Sequence, residues 1–306
     1  MRIFVTGASG WIGSATVSEL IEAGHDVVGL GRSDESAAAL IAAGADVFRG
    51  SLDDLDGLRR AASDSDGVIH LAFKHDLAFT GDYQGAADAD RRAVEVFGEA
   101  LAGSERPLVI ASGTLGVATG RVATEVDGHE SVSAATPVSG PSARHATAEY
   151  VLSLASRGVR SCVMRLPPTN HGDGDHGFVA TLVAIAREKG VSGYIGDGTN
   201  RWPAVHRLDS AHLFRLAVEK APAASTLHAV AEEGVPIRDV ADVIGRHLEL
   251  PVVSISTEGA GEHFTWLTHF LALDSPTSSV LTRELMDWQP VQPGLIDDLE
   301  QGHYFR

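Results

Sequence analysis

Short apolar runs alternate with longer stretches whose apolar positions recur every three or four residues, and this alternation fills the first 166 positions. The runs Ile3 to Thr6, Val27 to Leu30, Asp46 to Phe48, Gly67 to Ala72, Leu108 to Ala111 and Val159 to Leu166 are strand-like. Most have few polar interruptions, the pattern of strands covered on both faces. Between them, Trp11 to Ala23 places Ile12, Ala15, Val17 and Leu20 near one helical face and ends at Gly24. Ser33, followed by Asp34 and Glu35, has the form of an N-cap with acids in the first turn. Asp53 is expected to cap the helix carrying Leu55 and Leu58, and further helices run through Val94, Phe97 and Leu101 and from about Pro141 to Ala155. Strand and helix in repetition predict an α/β fold, a doubly wound parallel sheet of Rossmann type over residues 1–166.

After Pro167-Pro168 the rhythm changes. A polar loop, Asn170 to Gly177, precedes a helix from Phe178 to Lys189, and a second glycine-rich loop, Gly196-Asp197-Gly198-Thr199, leads to Arg201-Trp202-Pro203. Asp209 is expected to cap the next helix; strand Leu227 to Val230, helix Ile237 to Leu248 and strand Val252 to Ser256 follow. Residues 167–306 are therefore expected to form a small substrate-binding lobe interleaved with the last elements of the sheet.

Composition narrows the function classes. The formal charge is −17, spread without a long acidic block, which disfavours nucleic acid and anionic membrane as partners. An anionic cofactor must then be held by local features. The single Cys162 excludes an internal disulfide and a cysteine-based zinc site, and it fits a reducing compartment. No apolar run reaches membrane-spanning length, and a strand begins at the first residues, so a soluble cytoplasmic protein is expected.

The chemistry concentrates in Thr6-Gly7-Ala8-Ser9-Gly10-Trp11-Ile12-Gly13, which follows a strand and opens a helix. Gly7 allows the tight turn, Gly10 lets backbone approach a pyrophosphate, and Gly13 lets the helix pack close to the strand. The spacing TGxxGxxG resembles the extended short-chain dehydrogenase/reductase superfamily, its epimerase/dehydratase-like branch, over nearly the whole chain. The resemblance implies cofactor contacts at Gly7, Ser9, Gly10, Trp11, Ile12 and Gly13, at Ser51 and Leu52, at Leu71 and Ala72 after His70, and at Leu166 and Pro167 after Arg165. It also implies a catalytic hydroxyl after the fifth strand, at Ser112 or Thr114, and a homodimer.

Two departures matter. The second strand ends in Gly31-Arg32-Ser33, where NAD binders usually carry an acid; Arg32 and Ser33 suit the 2′-phosphate of NADP, while Asp34 keeps NAD open. The family's proton donor is a Tyr with a Lys four residues later, and none of the four tyrosines here has such a Lys. Counting back from Glu149, the Tyr position is Pro141 and the Lys position His145, so the chain resembles an atypical subgroup. His145 is expected to donate the proton or to fix the nicotinamide ribose, with Lys74, His75 and His171 as competing donors. Substrate contacts are expected from Lys74, His75, His171, His176, Arg201 and Trp202. The loop His171 to His176 lacks a recognised ligand spacing, so no metal is expected.

These features predict an NADP(H)-dependent oxidoreductase acting on a small-molecule carbonyl or secondary alcohol. A nucleotide-sugar epimerase or dehydratase is the second reading, kept open by Arg201. The third is a protein that senses NADP without turning it over.

Overall fold

Ile3 and Val5 point to one face of the first strand and Phe4 to the other, and all three are fully buried. The alternation recurs along the sheet: Val109, Cys162 and Met164 join the first face, and Leu108, Ile110 and Val163 the second. The computed structural model describes residues 1–118, 120–129 and 141–306. Its first half runs β1 (Arg2–Thr6), α1 (Trp11–Glu22), β2 (Asp26–Gly31), α2 (Asp34–Ala42), β3 (Asp46–Arg49), α3 (Leu55–Ser63), β4 (Gly67–His70), α4 (His75–Phe79), α5 (Tyr83–Leu101), β5 (Pro107–Gly113), α6 (Pro141–Ser153) and β6 (Arg160–Leu166). Its second half runs β7 (Thr169–His171), α7 (Phe178–Lys189), β8 (Ser192–Ile195), β9 (Arg201–His206), α8 (Arg207–Lys220), β10 (Ser225–His228), β11 (Glu232–Pro236), α9 (Ile237–Leu248), β12 (Val252–Ile255), α10 (Ala260–Phe264), α11 (Thr268–Leu271), α12 (Val280–Met286) and α13 (Leu295–Glu300).

The central sheet is seven-stranded and parallel throughout, in the order β10-β6-β5-β4-β1-β2-β3. Strand order reverses between β1 and β4, and in such sheets the ligand crevice lies outside the carboxyl ends at that point. Helices α1 and α8 cover one face; α3, α5 and α6 cover the other. Although α8 and β10 follow the second lobe's first elements in sequence, they pack into the central unit, α8 on α1 and β10 beside β6. The remaining strands form a three-stranded sheet, β11-β9-β7, and the pair β12-β8. These enclose a separate core around Trp202, Phe264, Leu267 and Leu271.

Several local expectations are corrected. Asp54, not Asp53, caps α3 by accepting from the amide of Gly57; Asp53 faces Lys74 instead. His206, not Asp209, caps α8, while Asp209 accepts the amides of Val291 and Gln292 and so ties down the C-terminal segment. The strands β7, β8 and β11 are too short and polar to stand out in the apolar pattern. Among the described residues no helix is long and apolar enough to cross a membrane.

Candidate active site

The turn after β1 has no room for side chains at two of its glycines. Gly7 has φ +67°, the left-handed region, and a Cβ there would meet the amide nitrogen of Ala72 at 2.7 Å. A Cβ on Gly13 would lie 2.0 Å from the carbonyl oxygen of Gly7. Gly10 stands at the N-cap of α1 with no side-chain cap, so amides of the first turn face outward without a partner from a capping side chain. A helix start of this kind is suited to an anion. Ser9 is exposed beside it, and Trp11 and Ile12 are half-buried.

Behind the turn a buried chain of hydrogen bonds fixes the strand ends. Thr6 Oγ1 lies 2.7 Å from His70 Nδ1, His70 Nε2 lies 3.2 Å from Asp90 on α5, and the Ala72 amide donates to Thr6 Oγ1 at 3.2 Å. With Nε2 donating to the Asp90 carboxylate, Nδ1 can accept from the Thr6 hydroxyl, which in turn accepts from the Ala72 amide. Sequence reading passed over this network, although His70 at a strand end and Asp90 one helix later were its visible signal.

Arg32 follows the end of β2, and Arg49 is the last residue of β3. Arg32 is exposed, 3.8 Å from Asp76. Ser33 caps α2, its hydroxyl accepting from the Ser36 amide. Arg49 donates to the Ser33 carbonyl and to Asp34 at 2.7 Å, so the acid that could serve a ribose is already paired. Arg49 was not singled out from the sequence because it is the last residue of a short polar strand. Ser51 accepts from the Asp53 amide, and the Leu52 side chain is buried in the core.

At the opposite end of the crevice, Ser112 of β5 is in register with Arg165 of β6. The Thr114 amide donates to the Leu166 carbonyl, and its hydroxyl is buried with no hydrogen-bond partner among the described residues. A buried hydroxyl without a partner costs free energy unless something else satisfies it. Arg165 is buried, donating to the Asp127 carbonyl and lying 3.3 Å from His228 Nε2. Pro167 offers its carbonyl to the Asn170 side chain. His145 sits on α6; burial, then the charges of Arg165 and Arg144, hold its pKa below the usual value, while Glu149 opposes them. That imidazole is neutral at physiological pH, which revises the expectation of a ready acid.

The expected substrate residues are dispersed. Lys74 reaches back to both carboxylate oxygens of Asp53, at 2.7 and 2.8 Å, on the adenine side. His75 lies against Phe73 at the start of α4. His171 is fully buried and paired with Asp298 of α13, which makes it a buried support of the loop. Trp202 is 1% exposed and packs on Phe178, a core residue in place of the expected substrate contact. Arg201 is held by both oxygens of Asp274, outside the expected contact. His176, in contrast, touches the edge of Trp11. Trp11 donates to the Asn170 carbonyl at 2.8 Å, and Arg207 covers its ring at 4.2 Å. Tyr304 accepts from the Gly172 amide and donates to Asp175, pinning the same loop from the C-terminus. Among the described residues no group of three or more His, Cys, Asp or Glu could hold a metal ion.

Residues 3–229 match the NAD dependent epimerase/dehydratase family. An uncharacterised protein of Schizosaccharomyces pombe is 50% identical over 306 residues, all of both chains. A 4-hydroxy-2-methyl-3-oxo-4-farnesyl-3,4-dihydroquinoline-1-oxide ketoreductase of Stigmatella aurantiaca is 31% identical over 196 residues, 62% of this chain and 56% of that one. The crystal structure of a dTDP-glucose 4,6-dehydratase from Streptomyces venezuelae with NAD bound superposes with a TM-score of 0.77 at 18% identity, covering 100% of this chain and 97% of the other. With the glycine cradle, the seven-stranded parallel order and a match running from β1 through β10, the chain belongs to the NAD-dependent epimerase/dehydratase family.

Proposed function

We propose that the protein is an NADP(H)-dependent oxidoreductase that interconverts a carbonyl and a secondary alcohol. The observation that carries this reading is the Thr114 hydroxyl, buried and without a partner among the described residues, beside the β5 and β6 strand ends. A donor so placed is suited to a substrate oxygen on which negative charge develops. The glycine cradle, with Gly13 unable to carry a side chain, fits a dinucleotide, which when bound supplies or accepts the hydride. Thr114, with Ser112 two residues before it, then orients and polarises the carbonyl oxygen. His145, neutral at physiological pH, hydrogen-bonds the nicotinamide ribose and takes up a proton in the oxidative direction. Arg32 and Arg49 at the β2 and β3 ends, each exposed and in a one-point pair, with Asp76 and Asp34, are cations that a 2′-phosphate could draw on, and Asp34 is engaged rather than free for a ribose hydroxyl. Similarity to a ketoreductase points the same way.

A nucleotide-sugar substrate is the second reading, favoured by the family and by the dehydratase neighbour. Against it, the cation that would hold a second pyrophosphate, Arg201, is held in a two-point pair with Asp274. The test is consumption of NADPH by the purified protein against a panel of ketones and aldehydes, with Thr114→Val and Ser112→Ala alongside. Turnover that falls on the order of a hundredfold in Thr114→Val supports the reading. Tight NADPH binding with no turnover anywhere in the panel would replace it with a non-catalytic sensor.

A further inference from the structure

Several arginines of this acid-rich chain pair with a carboxylate, as Arg121, Arg201, Arg215 and Arg246 do. Arg144, half-buried in the first turns of α6, does not. It donates to the carbonyl of Ala111 at 3.0 Å and lies over the ring of Phe73 at 4.3 Å. The Tyr83 phenol faces the same guanidinium, whose charge opposes the burial that raises the phenol's pKa. None of these contacts neutralises it, and among the described residues no ion pair to a carboxylate is formed.

Its position is specific. Ala111 immediately precedes Ser112, and Phe73 immediately follows Ala72. The guanidinium therefore bridges the outlets of β4 and β5, beside the crevice where a reacting group would meet Ser112 and Thr114. The nearby acids are committed elsewhere: Asp90 to His70, Glu149 to His129 and Asp127 to Arg121. The neighbouring α6 start adds a positive helix end to the same region. A guanidinium carries five donors in the fork geometry that matches a carboxylate, and among the described residues the Ala111 carbonyl takes one of them. Its aromatic seat on Phe73 holds the plane in place, so little side-chain entropy remains to be lost on binding.

We infer that Arg144 holds an anionic group of the substrate, so that the protein acts on a carbonyl or hydroxy compound that bears a carboxylate. This rests on the oxidoreductase reading above and adds a substrate class to it. In that arrangement the carboxylate pairs with Arg144 while the carbonyl oxygen faces Ser112 and Thr114, and Tyr83 braces the guanidinium.

Two measurements separate this inference from the reading it rests on. The first is calorimetric titration of malonate, a carboxylate probe that cannot turn over, into the NADP⁺-saturated protein. Wild type is expected to bind it, Arg144→Gln to bind it at least tenfold more weakly, and Arg144→Lys to recover part of the loss. The second compares a keto acid with its methyl ester in NADPH consumption; Arg144→Gln should raise KM for the acid at least tenfold and leave that for the ester unchanged. NADPH affinity should stay within about twofold in both variants, which also shows that they are folded. Wild type that does not bind malonate overturns the inference, as does equal use of acid and ester. Loss of NADPH affinity in Arg144→Gln with the acid-to-ester ratio unchanged would also overturn it, assigning Arg144 to the cofactor. Failure to reduce any carbonyl while malonate binding still depends on Arg144 would instead remove the oxidoreductase reading and leave the anion site.

Discussion

The indole nitrogen of Trp11 donates to the backbone carbonyl of Asn170 at 2.8 Å, joining the first turn of α1 to the middle of β7. His176 at the ring edge and Arg207 on the ring face make the indole the shared wall of both lobes. Trp11→Phe keeps an aromatic surface and removes the donor, leaving a half-buried carbonyl unpaired. The variant is expected to lose about 1–2 kcal/mol of stability in urea unfolding and to bind dinucleotide several-fold more weakly. Wild-type values for both would show that the two lobes are positioned by other contacts.

Arg32 and Arg49 argue for a cofactor phosphate at the β2 and β3 ends. Arg32→Asp brings a charge that repels a 2′-phosphate and accepts from a ribose hydroxyl, so NADPH affinity should fall at least tenfold while NADH affinity holds or improves. Arg49→Gln should weaken NADPH further and release Asp34 from its 2.7 Å pair. Calorimetry with both cofactors reads the outcome directly; equal wild-type affinities would refute the preference.

Much of this architecture was legible because the central sheet is covered on both faces, and its strands are therefore apolar runs broken by helical periodicity. Gly7, Gly10 and Gly13 were legible for a different reason: a backbone turn that excludes Cβ atoms leaves a fixed spacing in the sequence. The lobe residues were not. Trp202 and His171 looked like ligands because one follows a glycine-rich loop and the other begins one, yet one fills a core and the other pairs with Asp298, 127 positions away. Lys74 went astray similarly, since only the tertiary fold brings Asp53 to its ammonium. Arg144 shows the converse: its interest lies in having no carboxylate partner among the described residues, which no local pattern records.

Acid should destabilise the fold through His228. Burial pushes its pKa down to about 4 from the usual histidine value, and its ring is held between the Ser278 carbonyl and Arg165. The unfolded chain takes up the proton near pH 6.5 and the folded one does not. Stability therefore rises with pH across this window, and falls as pH drops from 6.5 toward 4. The urea midpoint should decline through that range, with the decline reduced in His228→Gln even though this variant is less stable at neutral pH. An unchanged slope in the variant would place the acid sensitivity in other groups.

His145 gives the sharpest prediction for the site itself. Its pKa is held below the ordinary value of 6.5, first by burial and then by the positive charges of Arg165 and Arg144, with Glu149 opposing them. A neutral imidazole can donate one hydrogen bond and accept another, which serves a ribose hydroxyl or a departing alcohol proton. Acidification must work against burial and two cations before the ring charges. The acid limb of the rate profile should thus lie below pH 6.5, and the stability contribution linked to this ring should likewise be lost as pH falls through that lowered value. His145→Gln keeps one donor and one acceptor without titrating, so it should preserve NADPH affinity to within a few-fold and abolish the acid limb. His145→Ala should lose both the affinity, by roughly tenfold for a hydrogen bond worth about 1–1.5 kcal/mol, and the limb. If both variants match wild type in affinity, turnover and pH profile, His145 has no part in the site. If the limb persists in His145→Gln while affinity drops, His145 fixes the ribose and the titrating group lies elsewhere, with His75 the first to test, because its own pKa is also lowered by burial and Arg144.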